Sequence, residues 1–140
     1  MKSIQPSREE IQRLVEASRE GMRCAYGIDG PSPLYGAAVL AEDGNIYSGG
    51  QYKAGTRQIS LHAEQVALVH AAAHGETKYR AIAIISDEDE TKATNPCGVC
   101  KQAIYEAALF ADQEIWVILA SISGSVELHR MRELITFPWP

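Results

Sequence analysis

The pattern of hydrophobic and polar positions first predicts a helix near the N-terminus. Ser7 and Glu10 have the spacing of a capping box, in which each side chain bonds the backbone N–H of the other residue. Glycines and prolines between residues 27 and 33 then end the helix in a loop. The apolar face of this helix follows helical spacing and contains Ile11, Leu14, Val15 and Met22.

Farther along the chain, the apolar pattern alternates between strands and helices. A hairpin is predicted around the Asp43-Gly44 turn, and continuous apolar runs indicate two buried strands. Predicted strands cover residues 34–40, 46–52, 81–85, 115–119 and 126–128. Further helices are predicted from about residue 62 to Gly75, over 97–110 and over 130–134.

This order of elements predicts one α/β domain over residues 1–140, built as three α/β/α layers around a mixed sheet of about five strands. Little more than Ile122-Ser123-Gly124 joins the last two strands. A parallel crossover needs about a dozen residues or more, so the last two strands are predicted to be antiparallel.

The net charge and the distribution of charged residues limit which kinds of molecule the protein can bind. The net charge is −5, and the 13 Lys and Arg residues are scattered, which argues against a polymeric nucleic acid as partner. The acidic run at 87–90 is interpreted as a solvated loop. No apolar run reaches the roughly 18–20 residues of a membrane span, and no secretory signal is visible, so we expect a cytoplasmic protein without membrane contact.

Two short motifs carry the candidate chemistry. His62-Ala63-Glu64 and Cys97-Gly98-Val99-Cys100 stand at the starts of two predicted helices. One His and two Cys supply three zinc ligands and leave a fourth position open, as in catalytic zinc sites. Glu64 can face that position without binding the metal. We expect the remaining cysteine, Cys24, to be a small buried apolar residue.

Each motif alone is weak evidence. Cys-x-x-Cys also occurs in redox pairs, and a structural zinc knuckle is an alternative that needs a fourth ligand. Two further histidines, His70 and His74, lie two or more turns from His62 on the same predicted helix, too far to complete such a knuckle.

The two motifs together resemble the cytidine deaminase family. Matching segments are Gly36-Ala37-Ala38, His62-Ala63-Glu64, Pro96-Cys97-Gly98-Val99-Cys100-Lys101-Gln102 and Arg132-Glu133-Leu134-Ile135. The resemblance implies the cytidine-deaminase-like fold, one Zn²⁺ and hydrolytic deamination of a free cytosine-type nucleoside. It also implies that Glu64 shuttles protons to the ring nitrogen N3 and to the leaving amino group, and that the chain forms a homo-oligomer, with a tetramer favoured.

Substrate contacts are predicted from the same resemblance at Gln51, Lys53, Ala63, Asn95 and Trp139. Family members that act on cytidine hold the sugar with an Asn-x-Glu pair, whereas this chain has Gln51 and Lys53 at the matching positions. Lys53 suggests an anionic or modified sugar, so a blasticidin S-type deaminase is one alternative. A non-catalytic zinc-binding module is the other, although it would have no use for Glu64.

Overall fold

The computed structural model describes the backbone of all 140 residues and every side chain except that of Arg57. Its helices are α1 (Arg8–Arg23), α2 (Ala63–Ala73), α3 (Gly98–Ala111) and α4 (Met131–Leu134), with a short 3₁₀ helix at Arg57–Ile59. Its strands are β1 (Tyr26–Gly27), β2 (Tyr35–Ala41), β3 (Ile46–Gly50), β4 (Tyr52–Lys53), β5 (Tyr79–Ser86), β6 (Trp116–Ala120) and β7 (Val126–Arg130).

Five of these strands form the main sheet in the order β3-β2-β5-β6-β7. Only the β5–β6 pair in this sheet is parallel; β6 and β7 pair antiparallel through the short turn between them. The predicted mixed sheet and its antiparallel final pair are therefore confirmed.

Helices cover both faces of the sheet because successive side chains of each strand point to opposite sides. On β2, Ala37 and Val39 join the core under α2 and α3, whereas Ala38 and Leu40 join the core under α1. The α1 backbone approaches β2 so closely that a Cβ at Gly36 would overlap the carbonyl oxygen of Ser18. This confirms the three layers.

The N-terminus of α1 has the predicted capping box. The Glu10 amide donates to Ser7 Oγ at 3.1 Å, and the Ser7 amide donates to Glu10 Oε1 at 2.9 Å. Glu10 also forms a two-pronged ion pair with Arg80 of β5, at 2.7 and 3.0 Å. That ion pair holds the pKa of Glu10 below its usual value, against the opposing effect of partial burial.

Two expectations about local structure are wrong. Cys24 is exposed, because it is the C-cap residue of α1 and lies beyond the turns that pack on the sheet. The predicted strand 46–52 is interrupted at Gln51, where the chain leaves β2 and continues as β4, which pairs parallel with β1. The Tyr26 amide donates to the Gln51 carbonyl at 2.9 Å and so secures the new pairing.

None of the described helices has both the length and the apolar composition needed to cross a membrane.

Candidate active site

Two helix N-termini position the three predicted metal ligands. His62 is the N-cap residue of α2 and Cys97 is the N-cap residue of α3, both with extended backbone. Cys100 lies in the first turn of α3 and is fully buried. The positive ends of the helix dipoles therefore face the site, where they would help to stabilise thiolates formed on metal binding.

The three side chains converge although the chain separates them widely. His62 Nδ1 lies 3.3 Å from Cys97 Sγ and 3.3 Å from Cys100 Sγ. Bond lengths of about 2.05 Å to nitrogen and about 2.3 Å to sulfur place two ligand atoms of tetrahedral zinc about 3.5 Å apart. The group therefore has the donor types and the spacing that zinc requires, and it can hold a metal ion.

Electrostatics at the buried sulfur also fit a cation. Burial raises the pKa of the Cys100 thiol, and the nearby Glu64 carboxylate and Cys97 raise it further. A divalent cation reverses this effect, since a coordinating thiol loses its proton. A bound divalent cation would therefore stabilise the Cys100 thiolate.

Glu64 is the buried carboxylate of the site. It lies in the first turn of α2, two residues after His62, and only 5% of its surface is exposed. This remaining surface faces a cavity of about 770 Å³, within the range of pockets that hold small molecules. A carboxylate in this place can exchange protons with a molecule in the cavity.

Seven of the predicted site residues line this one cavity: Gln51, Lys53, His62, Ala63, Glu64, Asn95 and Cys97. Cys100, the third predicted ligand, is fully buried and does not line the cavity. The cavity is therefore where the predicted metal ligands, proton carrier and most of the predicted substrate contacts meet.

Gln51 and Lys53 occupy this cavity in different ways. The buried Gln51 amide donates to the Pro33 carbonyl at 2.6 Å and accepts from the Tyr35 amide at 2.8 Å. This side chain therefore holds the start of β2 in place. Lys53 is exposed on β4, and no carboxylate among the described side chains forms an ion pair with it.

Trp139 lies outside the cavity of its own chain. Its side chain is 73% exposed, and only its backbone is anchored, by hydrogen bonds to both ends of the Gln102 amide on α3. The C-terminal segment thus docks on α3 through its backbone, while its aromatic side chains stay exposed.

The sequence interpretation missed the cavity wall formed by Tyr35 and the acidic loop. Glu88 and Asp89 are solvent-exposed, as expected for a solvated loop, yet both line the cavity together with Lys92. The Tyr35 hydroxyl donates to Glu88 Oε2 at 2.6 Å. Partial burial together with Glu88 raises the pKa of Tyr35 to about 12, so this hydroxyl keeps its proton. The sequence feature that could have indicated this part of the cavity wall is the tyrosine directly before Gly36-Ala37-Ala38.

Comparison with known proteins decides the family. A family model described as the cytidine and deoxycytidylate deaminase zinc-binding region matches residues 8–113. The chain belongs to this family. Membership, together with the three-ligand site, makes it a zinc-dependent hydrolase that acts on C–N bonds, and the non-catalytic alternative is not supported.

Individual proteins that are similar to this deaminase support the family assignment. A cytidine deaminase of Sporosarcina psychrophila is 29% identical over 90% of this chain and 88% of its own length. Among solved structures, cytidine deaminase from Burkholderia pseudomallei superposes with a TM-score of 0.79 at 25% identity, covering 91% of this chain and 98% of that one. The Mycobacterium tuberculosis enzyme has a TM-score of 0.73 at 19% identity, covering 92% and 96% respectively, and supports the fold alone.

Proposed function

We propose that this deaminase converts a free cytosine-type nucleoside to its uracil-type product and ammonia. The observation that carries the proposal is the buried Glu64 carboxylate beside the His62–Cys97–Cys100 group, facing a cavity large enough for a nucleoside. Relatives named cytidine deaminase support a cytosine base in this cavity.

Zinc, when bound by these three residues, would supply an activated water molecule. Glu64 would take one proton from the attacking water and deliver it to the ring nitrogen N3 as the water oxygen bonds to C4. It would then take the remaining hydroxyl proton from that oxygen and pass it to the departing amino group, so that the C4–N bond breaks, ammonia leaves and the C4 carbonyl forms. Ala63 and Asn95, which line the same cavity, are proposed to contact the base and its exocyclic group. Burial of Glu64 keeps its carboxylate apart from bulk water during these transfers.

The sugar is proposed to be contacted by Gln51 and Lys53. No described carboxylate forms an ion pair with the Lys53 ammonium, and an ammonium donates hydrogen bonds but cannot accept them. This observation favours a sugar-modified substrate that carries an acidic or acyl group, so a blasticidin S-type antibiotic is the second candidate.

A substrate panel tests these proposals. Ammonia release should be measured on zinc-loaded protein with cytidine, deoxycytidine, cytosine, deoxycytidylate and blasticidin S. We expect turnover of at least one free cytosine nucleoside and none with the Glu64→Gln variant. Turnover of deoxycytidylate alone would overturn the free-nucleoside proposal, and ammonia release undiminished in Glu64→Gln would overturn the assigned site.

We further propose that residues 1–140 form one catalytic domain and assemble into a cytoplasmic homo-oligomer, with a tetramer favoured. Phe137 is 97% exposed and Trp139 is 73% exposed, and a subunit contact would cover this apolar surface. Trp139 would then reach the cavity of a neighbouring subunit. Light scattering at micromolar concentration should give a multiple of the 15.3 kDa chain mass; a monomer mass would contradict the assembly.

A further inference from the structure

A second group of metal-ligating side chains lies at the far end of α2. His70 and His74 are four residues apart and therefore adjacent on the helix surface. Both side chains are exposed, so an ion from solution can reach them. Their ring centroids are 5.1 Å apart.

Backbone hydrogen bonds fix the protonation pattern of both rings. His70 Nδ1 lies 2.9 Å from the Ser48 carbonyl oxygen, and His74 Nδ1 lies 3.0 Å from the His70 carbonyl oxygen. A carbonyl oxygen can only accept, so each Nδ1 carries the proton in the neutral ring and each Nε2 keeps a free lone pair. An Nδ1–H held by a carbonyl is the arrangement that orients metal-ligating histidines.

The ring separation also suits chelation. With metal–nitrogen bonds of about 2.05 Å, two imidazoles on one ion have centroids about 4.5–5.2 Å apart for bond angles between 90° and tetrahedral. Tyr47 packs against both rings and holds the Glu76 carboxylate through its hydroxyl at 3.2 Å.

We propose that His70 and His74 form a second, surface site for a borderline divalent transition metal such as Ni²⁺, Cu²⁺ or Zn²⁺, independent of the catalytic zinc. Imidazole nitrogen is a preferred ligand of these ions, and the Irving–Williams order places Cu²⁺ above Ni²⁺. Water molecules would complete the coordination. Since His70 also contacts β3, a bound ion would tie the end of α2 to the sheet edge.

Calorimetric titration of untagged, zinc-loaded protein with NiCl₂ tests the proposal. We expect one Ni²⁺ per chain in addition to the zinc. His70→Asn and His74→Asn should each weaken this binding at least tenfold, because a chelate needs both rings. The matched control His129→Asn removes a histidine that contacts Glu127 and Glu133 instead, and it should bind Ni²⁺ like the parent protein.

Electron paramagnetic resonance of added Cu²⁺ gives a readout that does not depend on comparing variants. Hyperfine coupling from two imidazole nitrogens is expected in the parent protein at one equivalent of Cu²⁺. Unchanged Ni²⁺ binding in either single variant, or coupling from a single nitrogen, would overturn the chelate. Zinc content and deaminase activity of both variants should match the parent, which shows that the variants fold.

Discussion

His62 Nδ1 lies 3.3 Å from Cys97 Sγ, although 35 residues separate the two along the chain. The contact exists because each residue caps a helix and the N-termini of these two helices face each other. Neither helix alone provides a metal site. The ligand set therefore depends on the docking of α2 and α3 on the same face of the sheet.

Zinc content is expected to depend on this contact. The purified protein should hold about one zinc per chain, and Cys97→Ser should lose most of it, because a hydroxyl is a poor substitute for a thiolate. The zinc content, measured by elemental analysis, and the melting temperature should both decrease in this variant. Cys24→Ser, which changes an exposed cysteine away from the site, is the control and should keep its zinc.

Glu64→Gln is expected to keep zinc but lower kcat by about 10²–10⁴-fold, because an amide cannot shuttle a proton. Steady-state kinetics and elemental analysis on one preparation separate the two effects. Glu9→Gln, an exposed change in the first turn of α1, should leave kcat unaltered. Near-normal turnover in Glu64→Gln would refute the role of Glu64.

Lys53→Glu is expected to shift the substrate preference toward cytidine. A carboxylate accepts hydrogen bonds from ribose hydroxyls, and such a charge-assisted bond is worth about 1.5–3 kcal/mol, or roughly 10–100-fold in kcat/KM. The ratio of kcat/KM between cytidine and an acyl-sugar analogue is the measurement. Lys78→Glu adds the same charge change at an exposed position outside the cavity, and an equal shift in that variant would argue against a local effect.

Tyr35→Phe is expected to raise KM by roughly 2–10-fold with zinc content unchanged, because it removes one hydrogen bond in the cavity wall and frees the Glu88 carboxylate. The raised pKa of Tyr35, about 12, means that this effect should be constant across neutral pH. Tyr26→Phe changes an exposed tyrosine outside the cavity and serves as control. An unchanged KM in Tyr35→Phe would show that the Tyr35 hydroxyl makes no contribution to substrate binding.

The Glu10–Arg80 ion pair is expected to stabilise the fold at neutral pH and to lose this effect at acidic pH. The hydrogen bond to Arg80 lowers the pKa of Glu10 in the folded state, so the stability that its ionised carboxylate adds is fully present above the ordinary pKa of 4.5. This stability is lost as the pH falls through the lower folded-state pKa. Glu10→Gln should cost about 1–2 kcal/mol in the free energy of unfolding at pH 7, and much less near pH 3. Urea unfolding of the parent and variant at both pH values measures the difference, with Glu9→Gln as the control without an ion pair.

The sequence alone predicted those features that depend on residues close together along the chain, such as a helix start and a short strand connection. The Ser7–Glu10 capping box fixed the start of α1, because both of its hydrogen bonds form within one helical turn. The short connection before β7, residues 121–125, determined an antiparallel pair, because five residues cannot carry a crossover. The motifs likewise fixed which residue types can bind zinc.

Only the tertiary structure decided where distant segments meet. Tyr35 and Glu88 are 53 residues apart, and their bond depends on the antiparallel register of β2 and β5, in which Tyr35 lies opposite Ser86. The exposure of Cys24 depends on where α1 ends relative to the sheet. The break at Gln51 depends on β1, which pairs with the chain after Gln51 as strand β4. Packing across the whole domain determines these contacts. Local hydrogen bonds and the hydrophobic pattern of a few neighbouring residues do not indicate which distant segments will meet.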